Sequence, residues 1–181
     1  MSHTNLTKSA RWLLPLLACC LTGCGMTQRI TDGTQSVFDA VFYKKINVLH
    51  LDFTAREALN TDFRENNSLS QPVVIRVYQL KDRKMFDRMV YEQLLREGDT
   101  QLSADLLASR DVVIKPGGDA NLDMPMAADA QFVAVVGLFR HPDRRNNTWK
   151  QVIKRSELDP DNPRILEAGA NALTLRSLKE D

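Results

Sequence analysis

Three cysteines, three histidines and a scatter of carboxylates are the residues of this 181-residue chain whose types suit chemistry. All three thiols, Cys19, Cys20 and Cys24, fall in the stretch CCLTGC at 19–24, and none follows. A zinc site needs three or four protein ligands at suitable spacing. His3, His50 and His141 lie far apart in sequence, which is a poor start for one. A serine triad has a histidine to draw on but no G-x-S-x-G elbow to carry the nucleophile. Gly117-Gly118 follows Pro116 and reads as a turn rather than a phosphate cradle. Asp119, Asp123 and Asp129 fall short of a calcium loop and read as turn formers. His50 sits on the polar face of an expected strand, solvated, and His141 sits in an expected hairpin loop. The pattern argues against an enzyme, a cofactor and a metal.

What precedes the thiols explains them. Residues 1–11 carry Lys8 and Arg11 and no acid, and WLLPLLACCL follows. That apolar run is too short for a bilayer span, which takes about 20 residues. A basic start, a short apolar run and small residues at its end describe a secretory signal peptide. Leu21-Thr22-Gly23-Cys24 resembles the bacterial lipobox, in which a peptidase cuts before a diacylated cysteine. The expectation is a cleaved signal peptide at 1–23 and Cys24 as the lipid-attachment site. The alternatives are an ordinary signal peptide that contains cysteines, or a short N-terminal anchor. Gly25 follows Cys24. In enteric-type lipoproteins an aspartate there means inner-membrane retention, so the resemblance implies the periplasmic face of the outer membrane. Loss of Lys8 and Arg11 takes the net charge from +1 to −1. That balance leaves no electrostatic footprint for nucleic acid. The remaining chain is long enough for one self-sufficient core without disulfides, and the soluble domain is expected to be monomeric.

The elements that would position functional residues come next. Residues 24–35 are polar and read as a lipidated flexible tether. Val37, Phe38, Val41 and Phe42 suit one face of a short helix capped by Ser36. From residue 46 the period becomes two: Leu49, Leu51 and Phe53 alternate with His50, Asp52 and Thr54. Strands are also expected at 73–80, 111–118, 120–126, 131–140, 148–155 and 171–178. Pro125 marks 120–126 as an edge, and the continuous apolar run at 131–140 marks a central strand covered on both sides. About seven strands with turn signals between them argue for a β-sandwich, one domain over 36–181. One segment departs: Phe86, Met89, Val90 and Leu94 recur at helical spacing before Gly98, and SADLLAS at 103–109 reads as a second short helix. A helical insert at about 82–109 therefore lies between the second and third strands. The expected core includes Leu51, Ile75, Val77, Phe86, Val133, Val135 and Phe139.

Two loops stand out. RHPDRRNNTWK carries Arg140, Arg144, Arg145 and Lys150, either solvated or touching lipid phosphates or an acidic partner. AREALNTDFRENNSLSQP at 55–72 joins the first two strands, and long loops are often functional. Its apolar residues Leu59 and Phe63 either fold back to cap the sandwich or stand out as interface anchors, with Ala58, Asn60 and Arg64 beside them.

The ordered series is familiar. Pro72 leads into Val77-Tyr78-Gln79-Leu80. A helical insert runs from Phe86 through Leu94-Leu95 to Asp105-Leu106-Leu107. Lys115-Pro116-Gly117 and Val133 to Arg140 follow, and Trp149 comes after the basic loop. This resembles the type VI secretion lipoproteins, the TssJ (SciN-like) family, over roughly residues 46–178. The resemblance implies a transthyretin-like β-sandwich of seven to eight strands with a helical addition, and no catalysis. It implies an outer-membrane lipoprotein that anchors the trans-envelope complex and binds the periplasmic C-terminal region of the inner-membrane protein TssM, in several copies per complex. In the family the loop between the first two strands makes that contact. The alternative is a lipoprotein pilot or assembly chaperone for another outer-membrane component.

Overall fold

Two four-stranded sheets face each other in the computed structural model, which describes residues 45–62 and 69–177. The first has the order β4-β1-β7-β8, with β1 at Val48–Leu59, β4 at Asp119–Pro125, β7 at Arg164–Ala170 and β8 at Ala172–Leu175. The second has the order β3-β2-β5-β6, with β2 at Val73–Leu80, β3 at Leu106–Ile114, β5 at Phe132–Gly137 and β6 at Lys150–Lys154. Every ladder is antiparallel except β1 with β7. Two helices, α1 (Lys84–Arg88) and α2 (Tyr91–Gln101), lie between β2 and β3 in sequence.

Alternation along β2 sorts its side chains. Ile75, Val77 and Gln79 take one face, Tyr78 and Leu80 the other, and all are fully buried. Gln79 shows which sheet the first face meets. Its Nε2 donates to Pro125 O at 2.9 Å, and its Oε1 accepts from Ala127 N–H at 2.7 Å. A buried amide is tolerated because both ends are bonded. On the other face the Tyr78 ring meets Phe86 edge-on, with centroids 6.4 Å apart. A Cβ on Gly98 in α2 would sit 2.1 Å from the Tyr78 hydroxyl, so only glycine lets the helix approach this closely. Val133, Ala134, Val135 and Val136 of β5 are consequently all buried, as the continuous apolar run predicts. All seven expected core residues are buried, and β4 with Pro125 is an edge strand.

The structure corrects the sequence reading in four places. SADLLAS is not a helix: residues 102–105 turn, and β3 begins at Leu106. The backbone of β2 needs a partner on that side, and β3 supplies one from Leu80↔Leu106 to Val73↔Ile114. The helical insert therefore ends at Gln101. Strand β7, RILEAGA, escaped notice because alanine and glycine are weak strand formers. Strand β1 continues to Leu59, so the β1–β2 connection starts at Asn60 rather than at residue 55. Asp123 lies inside β4, where it faces His50 across the ladder, so it is not a turn former. Its Oδ1 and His50 Nδ1 are 2.5 Å apart, and His50 is therefore paired as well as partly solvated. The expected helix at 36–45 lies almost wholly outside the described residues, as does Cys24.

Candidate functional site

One end of the sandwich gathers the start and finish of the β1–β2 connection, the β5–β6 loop and the β7–β8 turn. Asn60 is where they join. Its φ of 51° is left-handed, a region asparagine tolerates better than most residues. In that conformation its N–H donates to Ala170 O. Its Oδ1 accepts the Arg140 N–H at 2.7 Å, and its Nδ2 donates to Pro72 O at 3.0 Å. Gln71 N–H donates to Leu59 O at 3.0 Å and closes the neck of the connection. Asn171 Nδ2 donates to Thr61 O at 2.9 Å, and Asp62 Oδ2 lies 2.9 Å from His141 Nε2.

The expected anchors separate under this geometry. Leu59 is fully buried, so it packs in the core and offers no side chain to a partner. Asn60 is buried too and is occupied in holding three segments together. Leu59 takes the capping place offered as its alternative, and both residues are buried for the same reason: β1 runs further than its alternation suggests. Ala58 is exposed on β1. Phe63 and Arg64 lie outside the described residues. Leu69, which the sequence reading passed over, is 74% exposed at the far end of the connection. The signal for it was available: a leucine between two serines, just before Gln71-Pro72.

The basic loop is organised rather than merely solvated. Asp143 accepts N–H bonds from Arg145 and Asn146 at 3.0 and 3.1 Å and the Asn146 amide at 2.7 Å. The Asn146 side-chain and backbone bonds are the main reason its carboxyl is held below the usual range. Arg144 pairs with Glu92 of α2 at 2.5 Å and lies over the Tyr91 ring, 5.9 Å from its centre. Lys150 Nζ donates to the carbonyls of Phe86, Asp87 and Met89 at 3.3, 3.1 and 3.2 Å, closing the C-terminal end of α1. Burial lowers the Lys150 pKa. The Tyr91 ring packs edge-on against Trp149 at 5.1 Å, and its hydroxyl donates to Phe139 O at 2.5 Å. Burial pushes the Tyr91 pKa up to about 12. The loop thus fastens the helices to the sandwich on one side and reaches the β1–β2 neck on the other.

Among the described residues no group of three or more His, Cys, Asp or Glu side chains converges as a metal site. What is built instead is a hydrogen-bonded neck at one end of a two-sheet sandwich. The chain belongs to the type VI secretion lipoprotein family: residues 47–175 match the family model described as "Type VI secretion lipoprotein, VasD, EvfM, TssJ, VC_A0113". That is a secretion-system lipoprotein family and not an enzyme family.

Solved structures agree. A chain of the structure described as "T6SS protein TssM C-terminal domain (869-1107) from EAEC" is 41% identical, with a TM-score of 0.66 over 74% of this chain and 100% of that one. A chain of a "Type VI membrane complex" is 44% identical, with a TM-score of 0.67 over the same shares. Serratia marcescens Lip, described as a membrane-bound component of the type VI secretion system, shares the fold at 21% identity. Its TM-score is 0.63 over 72% of this chain and 98% of that one. No curated protein matches the sequence.

Proposed function

We propose that this protein is the outer-membrane lipoprotein of a type VI secretion apparatus. Acylated at Cys24 after removal of residues 1–23 and tethered through 24–35, it holds the trans-envelope complex at the periplasmic face of the outer membrane. It does so by binding the periplasmic C-terminal region of TssM through the β1–β2 connection. One observation carries the reading: the 41% identical chain found in a structure described by the TssM C-terminal domain. That chain is covered in full by 74% of this one, so it is far shorter than the span 869–1107 and has the length of a companion to that domain. The loop end supports the reading, because a neck fixed by Asn60 presents the connection on a rigid base. Leu69, Ala58, Phe63 and Arg64 are the proposed contact residues, with Leu59 and Asn60 beneath them as support.

Co-purification from detergent-solubilised envelopes tests this. The protein should retain TssM as a stable partner. Recovery of a secretin-like outer-membrane cargo in its place would favour a pilot and overturn the anchor.

A further inference from the structure

We infer that the cleft between the α1–α2 junction and the β5–β6 loop is a second contact for TssM, a pocket that takes one carboxylate of the docked domain. The inference deepens the reading above and rests on it, since TssM is the occupant it names.

The cleft has a volume of about 320 Å³. Residues 87–92 line it from the helices, and Arg144, Asn147, Trp149 and Lys150 line it from the loop side. One donor in this lining is unmet. Trp149 is 1% exposed, and its Nε1–H is buried with no hydrogen-bond partner. A buried donor without an acceptor is costly, so its presence in a native fold calls for an explanation. An acceptor brought by a ligand supplies one.

The charges of the lining favour an anion. Its two acids are already neutralised. Asp87 is held by Arg83 through bonds of 2.7 and 3.0 Å, and Glu92 pairs with Arg144 at 2.5 Å. Its cations are in excess. Arg88 is exposed and has no ion-pair partner among the described residues. Lys150 gives its three donors to backbone carbonyls, so its charge meets no carboxylate. Helix α2 starts at Tyr91, which places the N–H groups of its first turn and the positive end of its dipole in the same lining. A protein partner supplies a compact anion as a carboxylate.

The cleft adjoins the proposed docking end. The first residues of the β5–β6 loop are tied to the β1–β2 connection, Arg140 N–H through Asn60 Oδ1 and His141 through Asp62. A few residues on, Arg144 and Asn147 of the same loop line the cleft. A domain seated on the connection therefore has the cleft at its edge. Val90, 55% exposed in the lining, adds apolar surface there. Room for a side chain adds to an interface and does not hold a domain by itself, so the connection stays the principal contact.

Nuclear magnetic resonance tests this on the chain from Cys24 onward, produced without its leader. Trp149 is then the only tryptophan, so the isotope-labelled chain gives one indole N–H resonance. The titrant is the unlabelled C-terminal region of TssM. The expected result is a downfield shift of the indole proton, together with shifts of the backbone resonances at 58–60 and 69–72. Arg88→Glu should weaken binding on the order of tenfold and shrink the indole shift at saturation. Arg96→Glu makes the same charge change on an exposed residue of α2 outside the cleft, and should leave both near the parent's. Movement at the connection with a still indole resonance, or equal losses in the two variants, overturns the cleft and leaves the proposed function standing. No binding by the parent overturns both. An indole shift that sodium acetate produces in full by itself, with no further change on adding TssM, marks a free-anion site and overturns the docking assignment.

Discussion

The Oδ1 of Asn60 accepts the backbone N–H of Arg140, 80 positions further along the chain, at 2.7 Å. That bond makes the β1–β2 connection and the basic β5–β6 loop parts of one assembly. Each had looked independent in sequence. The Asp62–His141 pair repeats that linkage, and the Asn171–Thr61 bond ties the same connection to the β7–β8 turn. Binding surfaces carried by loops depend on such support from the scaffold beneath them.

Substitution of Asn60 should separate its two contributions. Asn60→Ala loses both side-chain bonds and keeps a Cβ in a left-handed conformation. It leaves the partners of a buried residue unsatisfied, at about 1–3 kcal/mol for such a group. Asn60→Gly loses the same bonds but relieves the backbone, so it should be the milder change. Urea denaturation should rank the midpoints Asn60, then glycine, then alanine. An alanine variant as stable as the parent would show that the hub contributes nothing.

Gly98→Ala should be destabilising although alanine is the better helix former. The added Cβ meets the Tyr78 hydroxyl at 2.1 Å, and that ring is fully buried. Overpacking of this kind typically costs about 1–3 kcal/mol. A thermal midpoint raised by the substitution would mean that α2 moves outward freely.

Lys150→Met keeps the apolar stem and removes three donors from the carbonyls of Phe86, Asp87 and Met89. Hydrogen exchange should speed up selectively in α1. A pH signature accompanies it. Burial lowers the folded-state pKa of Lys150 below its ordinary 10.5, so the unfolded chain binds more protons in that window. The stability contribution of this group therefore rises as pH climbs from the lowered value toward 10.5. Denaturation midpoints measured across that alkaline range should rise less steeply in the variant than in the parent, and an unchanged slope would count against the assignment.

Cys24→Ser should leave the precursor uncleaved and unacylated. A single C14 chain binds membranes only marginally, whereas each additional buried CH₂ contributes about 0.8 kcal/mol, so the multiple chains of a mature lipoprotein hold firmly. Mass spectrometry of the parent should find Cys24 as its N-terminus, and any other N-terminus would sink the attachment site.

The strands that alternate strictly or run continuously apolar, such as 48–54 and 132–137, were legible because one or both faces demand burial. The strand at 164–170 was hidden because Ala168 and Gly169 carry little apolar surface, although it pairs along the length of β1. At 103–109 a local helical pattern lost to the free edge of β2, a tertiary demand no local window reports. Leu59 was misjudged for a related reason. Where the β1–β7 pairing shifts between Ala55 and Leu59, Arg56, Glu57 and Ala58 are exposed, so Leu59, which returns to the core after them, reads as loop. Lys150 looked like one more loop cation. Its capping role depends on α1, which lies more than 60 residues earlier and meets it only in the fold.

Removal of the β1–β2 connection above its neck tests the proposed interface directly. Replacing 62–69 with a short turn keeps the Asn60 bonds to Pro72 and Arg140 and the closure of Leu59 with Gln71. Folding should survive, because changes of loop length cost little entropy, about 0.6 kcal/mol for each doubling. Interfaces concentrate their energy in a few central anchors, often 2 kcal/mol or more each. Leu69→Asp should weaken binding to the TssM C-terminal region by an amount of that order if Leu69 is such an anchor, and the deletion should abolish it. Titration calorimetry on parent, point variant and deletion supplies the comparison, with circular dichroism as the folding check. A deletion variant that is folded and binds like the parent moves the interface elsewhere, first to the basic loop at 140–150. Charge reversal at Arg145 would then be the discriminating change. Arg144 and Lys150 would be poor choices, since they already pair with Glu92 and with the end of α1.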